Sequence, residues 1–167
     1  MPRSAFFSFH YDVDNWRASQ VRNIGVVDGN KPCSDNDWET VKKGGDAAIE
    51  RWIAGQLQGR SCAVVLVGER TAGRKWITYE ISESWNKNKG VVGVRIHGLK
   101  DRNQNTANAG GNPFEYVTLT KTKQSLSSVV KLHDPTSWLG SVNTFANIRN
   151  NLESWIEEAI DIRSKHD

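Results

Sequence analysis

The sequence predicts an α/β protein in which a parallel sheet is wrapped by helices on both faces, and three observations predict it. Short apolar runs alternate with helical periodicities along the whole chain, the pattern of successive β-α-β units with right-handed crossovers. The run Cys62-Ala63-Val64-Val65-Leu66-Val67 shows no polar alternation, as expected for a strand covered on both faces. At 167 residues the chain suits a single domain, 1–167, with one continuous core.

Taken in order, Ala5 to Phe9 is an aromatic run bounded by the polar cluster His10 to Asp14, which reads as a buried strand entering a loop. Trp16 to Asn23 can form a short first helix. From Ile24 to Asp37 the pattern is weak: Val26-Val27 suggests a brief edge strand, Asp28-Gly29-Asn30-Lys31-Pro32 is turn chemistry, and the stretch reads as a long loop. Asp46 is placed to cap a helix carrying Ile49, Trp52, Ile53 and Leu57 on one face, with Gly59 to stop it. Cys62 to Val67 is the best-marked strand. Thr71 precedes a helix over roughly Arg74 to Asn88, whose Ile77, Ile81 and Trp85 face the core while Trp76, Glu80 and Glu83 share a neighbouring face.

Val91 to Ile96 reads as another strand, and the Asn- and Gly-rich stretch from Gly98 to Gly111 is expected to carry no regular structure. After Pro113-Phe114 the pattern is ambiguous until Val129 to Leu132, a short final strand. An amphipathic helix from about Asn143 to Ile162 follows, through Phe145, Ile148, Leu152, Ile156 and Ile160. No internal repeat is present.

Composition narrows the function classes. With 37% hydrophobic and 25% charged residues the chain is globular and not disordered. A net charge of +3 comes from 22 basic and 19 acidic residues of mixed sign, which builds no stripe for a polyanion, so nucleic acid is not an expected partner. Two cysteines, Cys33 and Cys62, are too few for a disulfide framework and fit a reducing compartment. The apolar residues near Met1 are broken by Ser8 and His10 and stopped by Asp12, too short for a signal sequence or a membrane span. A cytoplasmic protein without membrane attachment is the expectation.

In an open parallel sheet, ligands collect beyond the carboxyl ends of the strands where strand order reverses. That points to the loop Ser8-Phe9-His10-Tyr11-Asp12, the connection from Asp28 to Trp38, and the turn from Gly68 into the helix bearing Glu80. No dinucleotide-binding glycine fingerprint, phosphate loop, serine elbow or paired-cysteine motif occurs, and the four His residues lack metal-ligand spacing. Trp76 and Glu80 stand four residues apart, one above the other on a helix face, so the ring can wedge the helix and aim the carboxylate into a cleft. By spacing alone a helical Glu is more often solvated than functional.

The ordered combination says more. Phe7-Ser8-Phe9-His10-Tyr11, Asp37-Trp38, Val65-Leu66-Val67-Gly68, Thr71, Arg74-Lys75-Trp76-Ile77-Thr78-Tyr79-Glu80-Ile81 and Gly111-Asn112-Pro113-Phe114 together resemble the TIR family, and within it the TIR-like branch of bacterial Thoeris anti-phage systems, over residues 5 to 115. The resemblance implies a flavodoxin-like fold and cleavage of NAD at the nicotinamide ribosyl bond. In this branch cleavage is followed by cyclisation to an ADP-ribose isomer that activates a separate effector protein. It also implies a phage-derived trigger or homo-oligomer formation as the route to an active site, with NAD as substrate and no metal or further cofactor.

The residues can be tested against that chemistry. Nicotinamide leaves NAD without protonation, so one ionised carboxylate, Glu80, suffices to meet the oxocarbenium-like sugar. Polar neighbours should then keep its pKa near or below working pH, with His10 and a helix N-terminus as helpers. A cyclase must also fold the adenosine end over the cation. Phe9, Tyr11, Trp38 and Trp76 are candidate aromatic surfaces, His10 a nucleotide contact, and Asp37 a ribose hydroxyl acceptor.

Each has a plainer alternative: Phe9 in the core, Trp38 stapling its loop, Asp37 capping a helix, and Glu83 solvated. Thr118 to Ser128 offers no residue to match, so the fourth wall of the pocket is open at this point. Two other functions share the architecture, a TIR module that only assembles and a nucleoside deoxyribosyltransferase. A phospho-accepting receiver domain fits least, because Gly68-Glu69 stands where its Asp belongs.

Overall fold

The computed structural model describes residues 3–25, 27–29 and 40–166. Its strands are β1 (Ser4–Ser8), β2 (Asp28–Gly29), β3 (Cys62–Val67), β4 (Gly90–Arg95) and β5 (Leu132–His133), and the helices flanking them include α1 (Tyr11–Arg22), α2 (Gly45–Leu57), α3 (Lys75–Asn86) and α4 (Ser141–Ser164). The strands form one parallel sheet in the order β2-β1-β3-β4-β5. This is the flavodoxin-like order, with the switch point between β1 and β3.

The alternation of side chains along a strand divides the core. Val64 and Leu66 of β3 face Ala18 and Val21 of α1 and Ile148, Leu152 and Ile156 of α4. Ala63, Val65 and Val67 face the opposite way, toward Ile77, Ile81 and Trp85 of α3, with Phe114 and Leu126 closing that layer. Ile49, Ile53 and Leu57 of α2 cover Phe6 of β1 in a third cluster. Every residue of β3 is buried, which is why its sequence shows no alternation.

Several expectations need correction. The first helix begins at Tyr11 and not at Trp16, so the polar cluster after β1 is a helical turn. Asp12 and Asp14 lie in that first turn, where carboxylates complement the helix dipole. Asp28-Gly29, read as a turn, is edge strand β2 paired with Ser4 and Ala5, and Val26 lies outside the described residues. At Gly29 a Cβ would stand 2.6 Å from the Phe7 ring, so the glycine lets the edge close over β1. Asp46 caps nothing: Gly44 is the cap of α2, and Asp46 instead pairs with Lys75 at 2.6 Å. The last strand is shorter and later than Val129 to Leu132, because Val129 and Val130 complete the 3-10 turn of Leu126–Ser128.

The stretch from Gly98 to Gly111 has neither helix nor strand, yet it is held. Arg17 of α1 donates through Nε to the Leu99 carbonyl at 2.9 Å and through Nη2 to that of Asn105 at 2.9 Å. Its Nη1 meets Asp14 at 3.1 Å, with both side chains nearly inaccessible to solvent. Arg95 donates to the Gly110 carbonyl at 2.7 Å. Among the described residues, no helix is long and apolar enough to cross a membrane.

Removing Arg17 leaves the buried Asp14 carboxyl without its cation, and such a loss costs about 3–5 kcal/mol. Arg17→Ala is therefore expected to lower the denaturation midpoint and to speed amide exchange across 99–105 first. Unchanged protection of that loop would show that its path is set by other contacts.

Candidate active site

β1 and β3 run side by side, with Ser8 opposite Val65, so the loops leaving their carboxyl ends meet above the sheet. Between them opens a cleft of about 610 Å³ lined by the end of β1, the start of α1 and the first turns of α3, within the roughly 300–1,000 Å³ usual for small-molecule sites. Phe9, His10, Tyr11, Trp76 and Glu80 all line it. Asp37 and Trp38 lie outside the described residues.

The turn that launches α3 is built from small residues. Gly68, at the end of β3, donates its N–H to Thr71 Oγ1 at 2.8 Å, and a side chain at Gly68 would strike the Asp14 carboxyl. Gly73 adopts φ +82°, a conformation that favours glycine. Ile77 and Ile81 then anchor α3 on the sheet. Trp76 packs with Phe6, Ile49, Ile53 and Leu57 and meets Tyr79 edge-on at 5.5 Å, so the ring wedges α3 between β1 and α2. Glu80 follows one turn later on the same side.

Glu80 receives a hydrogen bond to Oε2 from the hydroxyl of Ser8. Ser8 is 1% exposed; the sequence placed it at the start of the ligand-facing loop but gave it no role of its own. A polar residue ending an aromatic strand was the available signal, and it is a weak one. Glu83 is a helix-surface residue, 3.8 Å from Lys87.

The electrostatics differ from the expectation of a carboxylate kept ionised by polar neighbours. Burial pushes the Glu80 carboxyl up to about 8, and the Ser8 hydrogen bond opposes that only in part. Near neutrality the carboxyl is therefore mostly protonated. His10 supplies no compensating charge. It is buried, and burial, with Arg74 and Arg70 nearby, holds its pKa below the ordinary histidine value, although Asp12 works against that. Phe9 and Tyr11 present stacked rings, 6.2 Å apart and 29° from parallel, while Phe9 also packs on the core. Both readings of Phe9 thus describe the same ring.

The cleft is basic at its mouth: Arg22, Lys42, Arg70, Arg74 and Lys75 line it, against Asp12 and Glu80. Arg22, Lys42 and Arg70 carry no signal in the sequence that would group them with Arg74 and Lys75, since they are scattered through separate segments. Among the described residues, no group of three or more His, Cys, Asp or Glu is placed to hold a metal ion.

Residues 6–101 match the family described as Thoeris protein ThsB, TIR-like domain. The chain is also 38% identical, over 122 residues, to a protein of Bacillus cereus (strain MSX-D12) named "Putative cyclic ADP-D-ribose synthase ThsB1". That alignment takes in 70% of this chain and 64% of the relative, so the chain spans less than two thirds of the relative's length.

The raised Glu80 pKa has a cost in stability. Between the ordinary value of 4.5 and about 8, the folded protein keeps a proton that the unfolded chain has released, so native stability falls as pH rises through that window. Glu80→Gln removes the charge and can still accept from Ser8. It is expected to melt with wild type near pH 4.5 and roughly 4–8 °C above it at pH 8, for about 2 kcal/mol of relieved desolvation. Parallel melting curves at both pH values would refute a desolvated carboxyl at Glu80.

Proposed function

The chain belongs to the TIR-like ThsB family of Thoeris proteins, and from that membership we propose that it cleaves NAD at the nicotinamide ribosyl bond and closes the remaining ADP-ribose into a cyclic signal. That signal would act on a separate effector protein during anti-phage defence, after a trigger that follows infection. The observation that carries the reading is the Glu80 carboxyl, hydrogen-bonded by Ser8 at the floor of the switch-point cleft.

The chemistry suits an acid held partly out of water. Nicotinamide in NAD carries a positive charge on the ring that leaves, so its departure consumes the charge and needs no proton. A cationic ring beside Glu80 favours the ionised carboxyl and drives its proton out as substrate binds. The carboxylate then faces the oxocarbenium-like ribose in a site of low dielectric, where one charge stabilises strongly. Ser8 holds the oxygen that would otherwise rotate, and Trp76 sets the helix that carries it. The Phe9 and Tyr11 rings offer a surface against which the adenosine end can fold back, which is how a cyclising nucleophile would displace water.

Nicotinamide release from NAD by the purified chain, before and after addition of phage-infected lysate, with mass spectrometry of the products, tests this reading. Glu80→Gln is expected to slow release at least 100-fold, and a variant as fast as wild type would remove the carboxyl from the mechanism. Because the free protein must lose a proton to react, kcat/KM should climb with pH and level off above about 8. Ser8→Ala should move that midpoint upward and lower kcat, with Ser8→Thr restoring both. A midpoint indifferent to Ser8 would make the residue merely structural.

A further inference from the structure

We infer that the segment 110–116, tied to the sheet by Arg95, positions the turn from which α3 starts, and that Arg95 is thereby a positioning residue for the reaction at Glu80. The inference rests on the Glu80 reading and adds to it a residue outside the cleft lining.

Three contacts lay this segment along the turn. An added Cβ at Gly110 would stand 2.5 Å from the Gly68 carbonyl oxygen and 2.6 Å from that of Glu69, so the two backbones touch with no side chain between them. A Cβ at Gly111 would meet that of Ala72 at 3.4 Å, and the Tyr116 ring comes within 3.3 Å of one at Gly73. Ala72 and Gly73 also line the cleft. A shift of 110–116 therefore reaches the cleft wall without any contact to substrate.

The segment is fixed at both ends. Phe114 is fully buried with Ile77 and Ile81 of α3, and Asn112 closes the turn before it by accepting from the Phe114 N–H at 2.9 Å. At the other end the Gly110 carbonyl accepts from Nη1 of Arg95 at 2.7 Å, a charge-assisted bond across a 15-residue separation. Arg95 makes no ion pair among the described residues. It is the last residue of β4 and stands opposite Val67, the last of β3, so its guanidinium relays the position of the central strands to the turn that leaves β3.

Losing this bond lets the turn shift, and a displacement of about 1 Å at a reacting group slows a reaction on the order of 100-fold. A loosened turn also admits water beside α3. The Glu80 carboxyl, which burial pushes up to about 8, should then titrate lower. A loss of global stability alone does neither.

The test compares the 167-residue chain with Arg95→Met, Arg95→Lys, Gly110→Ala and Arg163→Met. Arg163 donates to the Trp85 carbonyl at 3.0 Å and to Asn88 at 2.7 Å, near the amino end of β4, so its loss destabilises the fold away from the turn. Amide exchange, titration of the Glu80 carboxyl by NMR, and nicotinamide release from NAD are measured for each. Arg95→Met should exchange roughly 10-fold faster across 68–74, with a lower Glu80 midpoint. Its kcat should fall roughly 10- to 100-fold, with KM within about threefold of wild type. Gly110→Ala, which pushes the turn directly, should give the same signature. Arg95→Lys should recover most of kcat, because one nitrogen makes the bond, and Arg163→Met should lower the melting temperature alone.

Wild-type exchange across 68–74 in Arg95→Met, a Glu80 midpoint that stays in place, or kcat losses equalled by Arg163→Met would each overturn the positioning role. Nicotinamide release that persists in Glu80→Gln would remove the Glu80 reading instead, while exchange and titration still decide whether Arg95 sets the turn.

Discussion

The hydrogen bond from Ser8 to Glu80 joins residues 72 positions apart, and the rest of the site is arranged around it. It can form only because the sheet places β1 next to β3, so that the helix launched from β3 leans across the end of β1. Trp76 holds the helix at that angle from one side, while Ile77 and Ile81 hold it from the sheet. The same closeness strips water from the carboxyl and raises its pKa. Position and destabilisation thus have one cause, and relaxing the packing to spare the carboxyl would also lose its aim.

The cleft is consequently polar along its length. At its floor stands an acid whose ionised form gains most when a cation is beside it; at its mouth stand five cations, of which Lys75 pairs with Asp46. His10 lines the same cleft with a pKa held below the ordinary histidine value by burial and the nearby Arg74 and Arg70, so it brings no competing positive charge to the acid near neutrality. In the proposed reaction the cationic nicotinamide ring is the part of the substrate that suits the acid.

Much of this was legible in the sequence where the residues obey a simple period. β3, α3 and α4 are marked by unbroken or four-residue apolar spacing, and the Trp76–Glu80 pair could be placed on one face before any coordinates. The start of α1 was hidden because its core-facing positions include Asp14 and Arg17, a buried ion pair that breaks the apolar pattern. β2 was hidden because its sequence, Asp28-Gly29, has the chemistry of a turn, and what makes it a strand is a distant neighbour, β1. Ser8 escaped for a related reason: its function depends on which helix lies above it, and that is settled by strand order. The pKa of Glu80 was misjudged because the number of polar neighbours was inferred from nearby residues, while depth of burial is a property of the fold.

The loop from Gly68 to Arg74 also shows how a wall of the cleft can be rigid without regular structure. Behind it lies 110–116: a side chain at Gly110 would collide with the Gly68 and Glu69 carbonyls, and the Tyr116 ring comes within 3.3 Å of where a Cβ would sit on Gly73. Gly110 is itself held by Arg95, which continues β4. The loop carrying Arg70 and leading into α3 is thereby braced against the sheet through its own neighbour strand. The long segment between Gly98 and Gly111, which looks like free loop in the sequence, contributes to the site by bracing and not by contact.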